Sequence, residues 1–227
     1  MEQEQKRVLL YLNRKKPWMT YIIIIVTVAV YLLEMLLGAD EDIYTLVLMG
    51  AKFNPLIQAG QYWRFLTGAL LHANLTHIGM NMVSLYCWGP TVETLYGKWK
   101  MLCIYLISAV MGTALSYLLS PYVSVGASGA IFGLFGTLIS MRIDAPDFFK
   151  KVFGKQVAIL LAINIANGII NRGIDNFGHL GGFVGGFLAA EALGTFKMKH
   201  SPMRTILGAG GCAAILALII AVGPLRG

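Results

Sequence analysis

Four polar side chains stand out in an apolar chain: Ser128, His179, His77 and Asn81. A serine hydroxyl becomes a nucleophile when a base takes its proton. A neutral imidazole can take that proton and later return it to a leaving amine, which makes His179 the candidate base. The tetrahedral oxyanion then needs preset donors. The backbone N–H of Ser128 and the side chains of Asn81 and His77 are the candidates. The chemistry such a set allows is serine-type acyl hydrolysis. The two-residue Ser128/His179 unit is preferred over a triad. Asp175, four residues before His179, reaches the base only if its helix starts early. The G-x-S-x-G elbow of soluble hydrolases is not met, because position 130 is alanine and no strand precedes Ser128. No H-E-x-x-H is present, which excludes that zinc protease pattern. No metal and no cofactor is expected.

The elements that hold these residues must lie in a membrane. The chain has 227 residues, 57% hydrophobic and 13% charged, with mean hydropathy +0.68. That balance excludes an ordinary soluble domain and fits an all-α polytopic membrane protein. The net charge of +7 is no nucleic-acid signature, because the basic residues fall between apolar segments. Cys87, Cys103 and Cys212 fall inside apolar segments and are expected to be packing residues.

A basic tail, 1–17, precedes the first span at 18–37, with Glu34 expected at the interface. That first run has no small-x-small cleavage pattern after it and is expected to stay as a span. A long loop, 38–71, carries acids and interfacial aromatics. Further spans are expected at 74–95, 99–119, 126–141, 157–170, 177–193 and 206–222. The core is 18–195, and 196–227 is a linker with an additional C-terminal helix. With the N-terminus inside, fourteen Lys/Arg lie on the inner side and four on the outer. This favours seven spans with the C-terminus outside.

In that topology spans two, four and six run the same way, and Ser128, His179, His77 and Asn81 all fall within roughly 10 Å of the outer surface, at 1.5 Å per residue. Gly126, Gly129, Gly133 and Gly136 thin one side of span four. Gly182 and Gly186 share the His179 face of span six, and Gly181, Gly185 and Ala189 form a second row. Small residues let membrane helices approach closely, which would bring Ser128 to His179. His77 and Asn81, four apart, share one face of span two. Hydrolysis also needs water, so irregular or polar structure must line a cavity. Arg64, His72 and the long loop are expected at its rim, and His200 on the inner side should play no part.

Several motifs together resemble the rhomboid family of intramembrane serine proteases, from Trp63 to about Gly194. Trp63-Arg64 is similar to the family's Trp-Arg pair. His72, His77 and Asn81 match its H-x4-H-x3-N pattern. Gly126-Ala-Ser128-Gly129 resembles its G-x-S-G motif, and the run from His179 through Gly182 and Gly186 resembles its last core helix. The resemblance implies a six-helix bundle around a water-filled cavity, here with a seventh transmembrane helix. It implies Ser128 as nucleophile and His179 as base, with His77 and Asn81 stabilising the oxyanion and Glu93 as a structural acid. It also implies that span five is a movable gate and that 171–176 is part of a cap. The substrates implied are transmembrane proteins, often single-pass, cut near the outer membrane face. Phe132 stands where many members have tyrosine, and its ring can still stack on His179. A bacterial cell membrane is the default location, with lipid rather than nucleic acid as the surroundings.

Two other readings are weaker. A catalytically silent binder of membrane helices should lack the serine or the base, and both are here. A haem held by His77 and His179 would need helices set apart, whereas these are thin where they face each other.

Overall fold

A computed structural model describes residues 16–39, 42–171, 173–195 and 201–223. The basic tail and His200 lie outside the described residues. Each of the seven expected spans is helical. The helices α1 Trp18–Leu36, α5 Leu75–Tyr96, α6 Lys98–Leu119, α7 Ser128–Asp144, α10 Asn176–Leu193 and α11 Pro202–Val222 correspond to spans one to four, six and seven. The loop after α1 carries three short helices, α2 Ile43–Met49, α3 Asn54–Gln58 and α4 Arg64–Thr67. Span five begins earlier than expected. Helix α8, Pro146–Phe149, runs through a π-helical turn, Lys150–Gly154, into α9, Lys155–Ile170. Pro146 sits at the first helical turn, where its missing N–H is harmless, and Lys150, Lys151 and Lys155 lie within the continuous helical stretch.

Among the described residues, four helices are long and apolar enough to cross a membrane: Trp18–Leu36, Lys98–Leu119, Pro146–Ile170 and Pro202–Val222. Of the helices that carry the four site residues, α7 is apolar but shorter, while glycine and polar side chains dilute the apolar character of α5 and α10. The chain is an all-α polytopic membrane protein.

Helix α1 is rich in β-branched residues, yet in lipid only a helix satisfies its backbone. Pro17 offers its first turn no side-chain cap. Glu93 on α5 does so instead. Its Oε1 accepts from Met19 N (3.0 Å), and its Oε2 accepts from Thr20 N and Thr20 Oγ1, both at 2.8 Å. A carboxylate at a helix N-terminus is also favoured by the helix dipole. At the other end of α1, Glu34 is fully buried rather than interfacial, and its Oε2 accepts from His72 N at 3.0 Å. The cause is the chain after α1, which folds back over this end.

Helix α10 runs between α7 and α6, and its two small-residue rows divide the work. A Cβ on Gly182 would collide with the backbone of Gly129, and one on Gly186 with that of Gly133. The second row faces α6, where Gly181 lies against the Met111 carbonyl and Gly185 against the Met111 side chain. Helix α11 packs on α10 through Gly208, which lies against the Leu188 carbonyl and Ala192. Arg204 at its start pairs with Glu191, which also accepts from Ser140 Oγ. Cys87 and Cys103 are exposed rather than packed in the core.

Candidate active site

Ser128 is the first residue of α7. Two residues earlier, Gly126 has φ +123°, which L side chains rarely adopt and which stops the helix from starting sooner. The segment before Ser128 is tied to the long loop from two sides. Gly126 N donates to Gly68 O at 2.9 Å, and Lys52 and Ser124 exchange backbone hydrogen bonds at 3.0 and 3.1 Å. Lys52 is fully buried, and its Nζ donates to Ser120 O and Tyr122 O.

His179 enters from α10. Its Nε2 lies 2.9 Å from Ser128 Oγ. Phe132, one turn into α7, stacks on the imidazole with ring centroids 4.2 Å apart and planes 10° from parallel. Asp175 makes two other bonds. Its Oδ1 accepts from Gly178 N at 2.8 Å as the cap of α10, and its Oδ2 accepts from Ser124 Oγ at 2.6 Å.

His77 and Asn81 arrive on α5, which Asn74 starts by accepting from His77 N at 2.8 Å. The His77 ring presses on Gly126, and the Asn81 amide lies beside it. Asn81 is buried, and its Nδ2 donates to nothing among the described residues. A buried donor without a partner is costly and calls for an explanation. All four sequence-selected residues line one cavity of about 750 Å³. Gly126 and Gly182 stand behind the pair, the first against His77 and the second against Gly129.

Arg64 and His72 lie elsewhere than the rim. Arg64 is buried and donates to Val47 O, Ala51 O and Gln61 Oε1, pinning the long loop. His72 is fully buried behind His77, with ring centroids 5.1 Å apart, and its Nε2 accepts from Ala127 N at 3.4 Å. Their charge and hydrogen-bonding capacity suggested water, but Arg64 is used by the loop itself and His72 is packed between His77 and the peptide before Ser128. Asn171, Gly173, Ile174 and Asp175 do line the cavity, as a cap would. So do Asn164 and Asn167 of α9, which the sequence reading did not single out. Their helical spacing in an isoleucine-rich span was the available signal. Among the described residues no cluster of His, Cys, Asp or Glu could hold a metal.

The fold and the site together define a polytopic helical membrane protein with a serine–imidazole pair set inside it. A rhomboid domain model matches residues 59–196, and the chain belongs to the rhomboid family. It is similar to the rhomboid protease GluP of Bacillus subtilis (strain 168), 36% identical over 224 residues, which are 99% of this chain and 43% of that protein. It is 34% identical over 185 residues to the rhomboid-like protease 3 of Toxoplasma gondii, covering 79% of this chain and 70% of that one. With the rhomboid protease AarA of Providencia stuartii it shares 29% identity over 202 residues, 77% of this chain and 72% of that one. The chain thus spans less than half of the first of these relatives.

Proposed function

We propose that the protein is a serine endopeptidase that hydrolyses peptide bonds in or near transmembrane segments of other membrane proteins. The observation that carries this reading is the 2.9 Å contact between Ser128 Oγ and His179 Nε2 on the wall of a cavity of about 750 Å³.

In this mechanism Nε2 accepts the Ser128 proton, which requires the resident imidazole proton on Nδ1. Oγ attacks the scissile carbonyl. The oxyanion forms against Ser128 N–H, Asn81 Nδ2 and the His77 ring, donors held in place before the reaction. Proton return from His179 Nε2 releases the amine. Water in the cavity then attacks the acyl-enzyme, with His179 again as base. Phe132 holds the imidazole in plane through the cycle. The substrates are transmembrane proteins, single-pass ones included, surrounded by membrane lipid. The Lys/Arg distribution supports seven spans in a cell membrane, with the N-terminus inside and the site towards the outer face.

The test is labelling of the purified full chain by a fluorophosphonate or chloroisocoumarin, with Ser128→Ala and His179→Ala beside it. Wild type alone should label and should cut a reconstituted transmembrane substrate. A wild type that does neither, while still binding such a segment, would make the protein a silent binder.

A further inference from the structure

Helix α9 has two chemically different faces. Ile159, Ile163, Ile169 and Ile170 are exposed and lie outside the cavity wall. Asn164, Asn167 and Asn171 line the cavity that holds Ser128 and His179. Polar side chains in a spanning helix are expensive and need a reason. Bonding between helices is not the reason here. Asn164 Nδ2 donates to Leu160 O one turn back at 2.8 Å, and Asn171 Nδ2 donates to Asn167 Oδ1 within the same helix. Among the described residues the bond that ties α9 to α10 comes from Asn176, outside the stripe, which donates to Gly168 O at 2.7 Å. Asn164 Oδ1 thus accepts nothing and Asn167 Nδ2 donates nothing among the described residues. One acceptor and one donor stand three residues apart on the cavity wall.

We infer that Asn164 and Asn167 bind the main chain of the segment being cut, accepting from one of its N–H groups and donating to one of its carbonyls. The inference rests on the protease reading for its ligand. A peptide bond must leave its helix before Ser128 can attack it, and the unwound N–H and C=O groups then have no partners in lipid. A carboxamide offers both a donor and an acceptor. It is indifferent to the side chain the substrate carries. The stripe therefore gives affinity for unwound backbone rather than for a sequence.

The experiment measures binding of a fluorescent single-pass peptide to the full chain in liposomes, in a Ser128→Ala background so that catalysis plays no part. Asn164→Leu/Asn167→Leu should raise Kd at least tenfold. Asn164→Gln/Asn167→Gln should recover most of the loss, and Ile163→Leu on the lipid face should leave Kd unchanged. A peptide with an ester in place of one amide near the cut should bind several-fold more weakly to the parent but no more weakly to the double leucine variant. With Ser128 intact, the leucine pair should raise KM far more than it lowers kcat. An unchanged Kd, or an equal ester penalty in both proteins, overturns the inference. A fall in kcat alone would assign the asparagines to water supply instead. A wild type that binds the peptide but cuts nothing would sink the protease reading and leave the stripe to be decided by Kd. A wild type that binds no peptide overturns both.

Discussion

Gly126 and His77 meet so closely that no side chain fits between them. A Cβ at position 126 would stand 2.6 Å from both Cε1 and Nε2 of the ring. The glycine also has φ +123°, so its replacement is strained even with space around it. Gly126→Ala should therefore displace the ring and the peptide before Ser128 together. Cleavage should fall about 10- to 100-fold, with stability down by about 1–3 kcal/mol. Turnover and thermal unfolding of the same preparation check this, and an alanine variant with wild-type turnover would remove His77 from the site.

Asn81 supplies a buried N–H that nothing among the described residues accepts. If it serves the oxyanion, Asn81→Ala should lower kcat roughly 10- to 1000-fold while leaving the folded state no less stable. Single-turnover kinetics beside a melting curve separate the two effects. Loss of stability with kcat preserved would make Asn81 a packing residue.

Glycines on two faces of the bundle should respond in opposite ways. Gly182 abuts the Gly129 backbone, so Gly182→Ala must separate α10 from α7 and draw His179 away from Ser128. Serine-probe labelling should drop at least tenfold. Gly79 on α5 has nothing within 4 Å of its missing Cβ, and Gly79→Ala should be neutral or stabilise by up to about 1 kcal/mol. Equal responses at the two positions would mean that α7 and α10 do not make this close contact.

Removing the Glu93 carboxylate leaves Met19 N and Thr20 N at the start of α1 without their acceptor. Glu93→Ala should cost about 1–3 kcal/mol, read as a lower unfolding midpoint in a denaturing detergent titration. Thr20→Val, which removes only the hydroxyl bond, should cost less. Reversed ranks would contradict the capping role.

Lys52 lies outside the spanning helices, and burial pushes its amine down to about 8 from 10.5, with the Asp175 carboxylate pulling the other way. Below about 8 both folded and unfolded chains are protonated. Between about 8 and 10.5 only the unfolded chain is, so it binds more protons and this residue's contribution to stability rises with pH. Wild type should gain stability relative to Lys52→Met between pH 8 and 10 on this account. A difference that stays flat across melts in that range would refute the shift.

Much of this protein follows from local pattern. Apolar runs of spanning length place the helices. Glycines at helical spacing on α7 and α10 mark the faces that touch, because only small residues let backbones meet and their period is that of a helix. The common depth of Ser128, His179, His77 and Asn81 follows from the direction of each span and a fixed rise per residue. Asp175, read as a neighbour of the base rather than part of the pair, accepts from Gly178 N and Ser124 Oγ.

Other features depend on residues distant in the chain, and no local period reveals them. Glu93 caps a helix through Met19, 74 residues before it. Glu34 is drawn inward by the backbone of His72, Arg64 is consumed by carbonyls of the long loop, and His72 is buried against His77 and Ala127 N instead of facing water. Arg204 joins Glu191 across the linker to α11. A buried charge takes whichever partner the folded chain brings within reach, so composition could mark these residues as costly but could not say what satisfies them. The cavity belongs to the same class. Asn164 and Asn167 form a recognisable stripe in the sequence, but only the tertiary structure turns that stripe towards Ser128.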